Sequence, residues 1–386
     1  MTRRPRLRAF SAQLLPALAT LAIAACATQA TPPPPAAVVA AETDTAASRQ
    51  AGPAGAAPTA RLPPVPQPPE RPEAPPSVTD PSIPQAQRIE AFVDYTARTY
   101  GVAPRRIRDV LAQAEYKQGI VDAMSRPAEK TRTWAEYRPI FVNDARIEGG
   151  RAFYAQHRAA LDRVAADTGV PAEVIVAIIG VETSYGRITG NYRVLDALYT
   201  LAFGYPKRAP FFAGELAQLF ALTEQEPQLD ITTLKGSYAG AMGMGQFMPS
   251  SYRLWAKDGD GDGRRDLLSH LPDVFASIAN YFVVHGWQRG GPVVARAMRD
   301  AGAVEFAPES LDPMYPLADL AARGYRPLQG EPVAEGATLL SLDGAAGPEY
   351  WLGYRNFYVI TRYNRSPMYA LSVHQLAQAI ARPSSP

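Results

Sequence analysis

The sequence predicts a mainly helical protein with a small β subdomain, preceded by a signal segment and a proline-rich tether. Three observations carry this. From Gln87 to Arg382 apolar residues recur mostly at helical spacing. Between 292 and 362 that pattern gives way to short runs rich in β-branched and aromatic residues among Gly and Pro. Residues 27–85 hold 16 of the 37 prolines and few large apolar side chains.

Each segment follows in order. Arg3, Arg4, Arg6 and Arg8 form a positive start, and Leu14–Ala25 is an apolar, small-residue run too short to span a bilayer, so residues 1–25 read as a secretory signal. The run ends Ile23-Ala24-Ala25-Cys26, resembling a bacterial lipobox in which Cys26 is lipidated and becomes the first mature residue. The alternative is a free cysteine beside an ordinary cleavage site. Acyl chains add about 0.8 kcal/mol per buried CH₂, enough for several to hold the protein on a bilayer. Ala27 rather than an acidic residue follows, which by analogy with enteric lipoproteins points to the periplasmic face of the outer membrane.

Residues 26–85 read as the lipidated cysteine and a Pro/Ala-rich disordered tether, because such a stretch buries too little surface to offset chain entropy. Residues 86–291 read as a helical core. Its helices begin near Ile89 and at Pro104, span Gly150–Asp167 and Pro171–Glu182, and resume at Asp273–Gly286. Residues 292–362 read as the β subdomain, with strands expected at Thr338–Leu342 and Asn356–Thr361, and residues 363–382 as a C-terminal helix returning to the core.

Composition narrows the function. The 386 residues are 47% hydrophobic, enough for two or three domains. With 39 basic against 37 acidic residues, there is no basic stripe for nucleic acid. One cysteine excludes an internal disulfide framework, and four scattered histidines make no zinc cluster. No apolar run of 18 residues occurs in the body.

The candidate chemistry starts in the stretch Val174–Gly186, on and just after the apolar helix. Glu182 lies three, four and seven residues after Ile179, Ile178 and Ile175, which puts its carboxylate on the buried stripe near the helix C-terminus. Desolvation and the negative helix end both disfavour its charge, so a raised pKa is expected, as suits a general acid. A structural ion pair would place a carboxylate there equally well. Further on, Lys235–Tyr252 carries four glycines between 236 and 245, then Gln246, Phe247, Met248 and Pro249. Close backbone approach, an amide and a ring face suit a sugar better than a phosphate, since no Gly-Lys-Ser/Thr follows. A tight helix crossing built from small residues is the competing reading.

Gly180-Val-Glu-Thr-Ser-Tyr-Gly-Arg, Leu195-Asp-Ala-Leu, Gly236–Tyr252, Ala279-Asn-Tyr-Phe, His285-Gly-Trp and Phe357–Asn364 together resemble the lytic murein transglycosylase B family, in its membrane-bound lipoprotein form, over about 88–382. The resemblance implies a lysozyme-like catalytic core. It also implies cleavage of the β-1,4 bond between N-acetylmuramic acid and N-acetylglucosamine in peptidoglycan, leaving a 1,6-anhydromuramoyl end. Glu182 falls on the family's single acid/base. Ser237, Gln246, Phe247 and Met248 fall on sugar-contacting positions, and Tyr137, Tyr281, Tyr363, Asn364 and Tyr369 on other cleft positions. Phe211 stands where some relatives have Tyr, and Met244 replaces an aromatic. The expected partners are peptidoglycan glycan strands, a membrane through Cys26, and cell-wall synthesis enzymes. A hydrolytic muramidase and a non-catalytic wall-binding lipoprotein are the alternatives.

Asp258-Gly-Asp260-Gly-Asp262-Gly263-Arg264 begins like an EF-hand, with carboxylates at positions 1, 3 and 5, Gly at 6 and the Arg264 carbonyl at 7. Position 12 is Ser269 rather than Glu, so a strict EF-hand fails. The resemblance implies a longer loop closed by Asp273, with Asp266 as competitor and Ca²⁺ as a structural ion. A solvated acidic turn is the alternative, and no cofactor is expected for catalysis.

Overall fold

A computed structural model describes residues 61–68, 73–125 and 132–382. The signal segment, Cys26 and the tether up to residue 60 lie outside the described residues.

The helical part runs α1 (Pro76–Thr79), α2 (Gln85–Tyr100), α3 (Pro104–Leu111), α4 (Gln118–Ser125), α5 (Trp134–Phe141), α6 (Asp144–Thr168), α7 (Ala172–Thr183), α8 (Val194–Gly204), α9 (Ala209–Gln225), α10 (Pro249–Trp255) and α11 (Leu271–Val284). A two-stranded ribbon, β1 (Tyr192–Arg193) with β2 (Lys235–Gly236), sits among them. The start signals are local. Pro104 opens α3, and Thr133 with Glu136 forms a reciprocal capping box that sets α5 and hence Tyr137. The long helix starts earlier than Gly150, because the Asn143 side chain accepts from Arg146 N at 3.0 Å. It bends at His157.

The α7 helix is the centre of the core. Every residue in it except Glu173 is buried. It is therefore enclosed all round, by α6, α11 and α14 (Pro367–Ala381), rather than along one stripe as the spacing predicts.

The β subdomain is an antiparallel sheet of β3 (Val294–Arg299), β4 (Tyr315–Pro316), β5 (Tyr325–Pro327), β6 (Gly336–Gly344) and β7 (Gly347–Gly353), in the order β4-β6-β7-β3-β5. The short helix α12 (Leu317–Ala322) lies between β4 and β5. Side chains alternate between faces. Val294, Leu340 and Trp351 join the main core, while Ala295, Leu339 and Leu352 form a second, smaller one with Tyr315 and Tyr354.

Two expectations need correction. The strand expected at Asn356–Thr361 is part of helix α13 (Arg355–Tyr363). Its β-branched and aromatic residues are buried helix contacts. The Asn356 side chain pins the helix start by accepting from Gln288 N and donating to Gln288 O and Gly291 O, all at 2.8 Å. Tertiary contact overrides strand propensity there. The expected tether to residue 85 also stops short. Leu62 N donates to Met314 O at 2.8 Å, Val65 is buried, and Val78 in α1 is fully enclosed.

Candidate active site

Helix α7 ends in two successive left-handed residues, Ser184 (φ 52°) and Tyr185 (φ 63°). Ser184 N donates to Gly180 O and Tyr185 N to Ile179 O, closing the last turn. Such strain persists only where the surroundings fix it. Here the Tyr185 ring packs on Gly180, where any Cβ would lie 2.7 Å from the phenol oxygen, and the hydroxyl donates to Arg146 O at 2.5 Å. Arg146 also donates to Gly180 O, a cation at the negative helix end. Burial pulls the Arg146 pKa down.

Glu182, in the last turn of α7, is 8% exposed. The Tyr369 hydroxyl, from α14, donates to its Oε1 at 2.5 Å. Burial, and then the charge of Glu182, push the phenols of Tyr369 and Tyr363 well above their ordinary value, so both stay protonated donors. Tyr363 donates to Gly245 O at 2.6 Å. Next to Glu182, the Thr183 hydroxyl lies 3.1 Å from both Ile179 O and Met244 O. The acid and the glycine turn are thus tied together by Thr183 and Tyr363.

The turn itself is a tight hairpin. Met242 and Phe247 exchange backbone hydrogen bonds at 2.9 and 3.0 Å, and Gln246 sits at φ 51°. The Ser237 hydroxyl accepts from Ala239 N and Ala241 N at 3.3 and 3.1 Å. Gln246 donates to Thr189 O and Gly243 O, and its Oε1 is buried with no hydrogen-bond partner. Phe247, Tyr281 and Tyr363 make an aromatic wall with centroids 4.8 to 6.0 Å apart.

The sequence-derived residues divide accordingly. Glu182, Tyr363, Tyr369 and the 237–247 turn come together, and Tyr137, buried on α5, is close enough to Tyr369 to influence its phenol. Tyr281 spends its hydroxyl on Arg362 O at 2.6 Å and stacks on His285 at 4.0 Å, so it serves as wall. Asn364 accepts from Ser366 N at 3.0 Å, and Ser366 caps α14 by accepting from Tyr369 N at 3.3 Å. Met248 is the N-cap residue of α10. Phe211 lies under the Arg208 guanidinium at 4.5 Å and beside Phe212. Thr183, Tyr185, Arg146 and Ser366 are supports that sequence reasoning missed. Only the Gly-Val-Glu-Thr-Ser-Tyr run hinted at the first two.

A second carboxylate for the site is lacking among the described buried residues, because the others have structural partners. Asp196 pairs with Arg193, Glu215 accepts from Ser250 N and Oγ, Glu226 pairs with Arg265, Asp273 closes the acidic loop, and Asp312 accepts from Val65 N. A lone buried acid beside an aromatic wall and a glycine turn is a donor set suited to an enzyme that cleaves sugar bonds.

The acidic loop, 258–273, lies between α10 and α11 and runs into the first turn of α11, where Asp273 stands. Carboxylate oxygens of Asp258, Asp260 and Asp262 lie within 4.8 Å of one another, an all-oxygen set that fits a hard cation. Arg264 N donates to Asp262 Oδ1 at 2.8 Å. Asp273 accepts from Gly259 N and Asp266 N, both at 2.7 Å, and groups with Asp260 and His270. Asp266 instead holds Leu268 N, Ser269 N and Ser269 Oγ. His270, 2.9 Å from Asp260, was not expected, and that contact raises its pKa.

The transglycosylase SLT domain family matches residues 84–378, and the chain belongs to it. It is a lytic transglycosylase with that family's lysozyme-like fold. The membrane-bound lytic murein transglycosylase B of Escherichia coli is 41% identical over 307 residues, 77% of this chain and 83% of that protein. Catenated SltB1 of Pseudomonas aeruginosa is 48% identical with a TM-score of 0.72, covering 76% of this chain and 97% of that one. E. coli Slt35 in complex with calcium is 41% identical with a TM-score of 0.68, covering 76% and 92%.

Proposed function

We propose that the protein cleaves the β-1,4 bond between N-acetylmuramic acid and N-acetylglucosamine in peptidoglycan and leaves 1,6-anhydromuramoyl ends, with Glu182 as sole acid/base. The observation that carries this is the buried Glu182 carboxyl bonded to Tyr369 and tied through Thr183 to the glycine turn. Glu182 first protonates the glycosidic oxygen as the C1–O bond breaks. The neighbouring N-acetyl group supports C1. The resulting carboxylate then takes the proton of the muramoyl C6 hydroxyl as its oxygen closes on C1. Intramolecular attack has an effective-molarity advantage over water. Ser237, Gln246, Phe247, Met248, Tyr137, Phe211, Tyr281, Tyr363, Asn364 and Tyr369 are the proposed saccharide contacts. Digestion of sacculi by wild type and Glu182→Gln tests the assignment. The variant should lose about 10²–10⁴-fold or more in rate, and an unchanged rate refutes it. Products heavier by about 18 Da, one water, would show a hydrolytic muramidase instead.

The relative crystallised with calcium and the grouping of Asp258, Asp260 and Asp262 support Ca²⁺ as a structural ion that holds the loop, with the Arg264 carbonyl and Asp273 as the further proposed ligands. The Cys26 lipobox and the membrane-bound relative support a lipoprotein on the periplasmic face of the outer membrane, and cell-wall synthesis enzymes are the proposed protein partners. Cys26→Ser should move the protein from the membrane to the soluble fraction.

A further inference from the structure

The glycine turn and the acidic loop touch through backbone. Gly243 (φ 68°) faces the carbonyl of Leu267, at the loop exit, so closely that a Cβ there would lie 2.1 Å from that oxygen. Gly243 in turn gives its own carbonyl to the Gln246 amide at 2.9 Å. The loop exit is fastened by Tyr252 of α10, fully buried, whose hydroxyl donates to Arg265 O and accepts from Leu267 N at 3.0 Å. At the other side one carboxylate, Asp273, joins the loop entry at Gly259 N to its exit at Asp266 N. A cavity of about 380 Å³ is lined by Thr189 and Gly243, the two residues whose carbonyls hold Gln246, together with Leu268 from the loop exit. Turn and loop therefore share a wall.

We propose that cation binding in the 258–273 loop and saccharide binding at the glycine turn are energetically coupled, with Tyr252 as the positioning residue that carries the coupling. This rests on the reading of the turn as saccharide-binding and of the loop as cation-binding. Without a cation, Asp258, Asp260 and Asp262 hold like charges within 4.8 Å and repel. Spreading of the loop loosens 265–268, and with it the carbonyl that seats Gly243 and the amide of Gln246. Coupling of this kind is reciprocal: the saccharide must tighten the cation by the factor by which the cation tightens the saccharide.

The test uses Glu182→Gln, so that the ligand is not consumed. A GlcNAc–MurNAc-peptide fragment is titrated calorimetrically with saturating Ca²⁺ and after chelation, and Ca²⁺ is titrated with and without the fragment. Both affinities should rise by one common factor, about fivefold or more. Adding Tyr252→Phe should keep Ca²⁺ binding and its rise in melting temperature while bringing that factor towards one. The proposal is overturned if the fragment binds equally well in both conditions, if Tyr252→Phe leaves the factor unchanged, or if Ca²⁺ does not bind. Equal binding, alongside anhydro products when the wild type digests sacculi, removes the coupling alone. A fragment that binds in neither condition removes the saccharide reading of the turn as well.

Discussion

Glu182 is held between opposing influences. Burial and the end of α7 disfavour its charge, the helix end by about 0.3–1 kcal/mol and up to ~2 where partly buried. The Tyr369 hydroxyl favours the charge, and a hydrogen bond to an ionised group is worth about 1.5–3 kcal/mol. The hydroxyl thus offsets part of what burial and the helix end cost, in a group that must both give and take a proton. Tyr369→Phe removes one side and keeps the ring. The alkaline limb of the pH–rate profile on sacculi, where the general acid loses its proton, should then move up by about one to two pH units, since one unit is ~1.36 kcal/mol. An unmoved limb with a raised KM would make Tyr369 a wall only. Glu182 itself is legible from helix spacing. Its partner stands 187 residues away, so periodicity says nothing of it, and only the family resemblance flags Tyr369.

At the scale of elements, α14 presents Tyr369 and carries a titratable group of its own. Burial pushes the His374 pKa down from 6.5 to about 4. A histidine neutral in the fold and chargeable in the unfolded chain stabilises fully above pH 6.5 and loses that contribution as pH falls towards 4. The loss is at most about 3 kcal/mol. Melting temperatures from pH 7 to 4 should fall more steeply for the wild type than for His374→Leu; parallel curves would refute the assignment. The acidic loop yields a second test at this scale. Ligand at 100 times its Kd stabilises by ~2.7 kcal/mol, so chelation should lower the melting temperature, and Asp260→Asn should abolish that difference. Helices α3, α7 and α11 were readable because proline starts and apolar spacing agree there. Helix α13 was not, since Phe357-Tyr-Val-Ile-Thr has strand propensity and only the Asn356 clamp reveals its setting. The Asp258–Asp262 set could be read from spacing. Spacing does not choose between Asp273 and Asp266, since that depends on which carboxylate faces the loop.

For the whole molecule, the segment Arg61–Val65 acts as a strap across the β subdomain and the catalytic unit. Leu62 packs on Gly336 and hydrogen-bonds Met314 O, Val65 N meets the Asp312 carboxylate at 3.3 Å, and the Val65 side chain reaches Gly286 beyond α11. Proline density hid this, because two apolar residues in such a stretch carry no periodicity. Magnitudes decide which contact matters. The Arg61–Glu309 pair is exposed on both sides, so solvent screening leaves it contributing little. Burying Val65 contributes about 1.5–3 kcal/mol. Burial raises the Asp312 pKa against the Val65 N–H, so that hydrogen bond chiefly offsets a desolvation cost. A chain begun at residue 73 should therefore melt several degrees below one begun at residue 60. Arg61→Ala in the longer chain should change little, and Val65→Asp should lower the melting temperature about as far as the truncation. Equal melting of the two chains would mean that the strap contributes no stability, and that the tether effectively extends beyond residue 65.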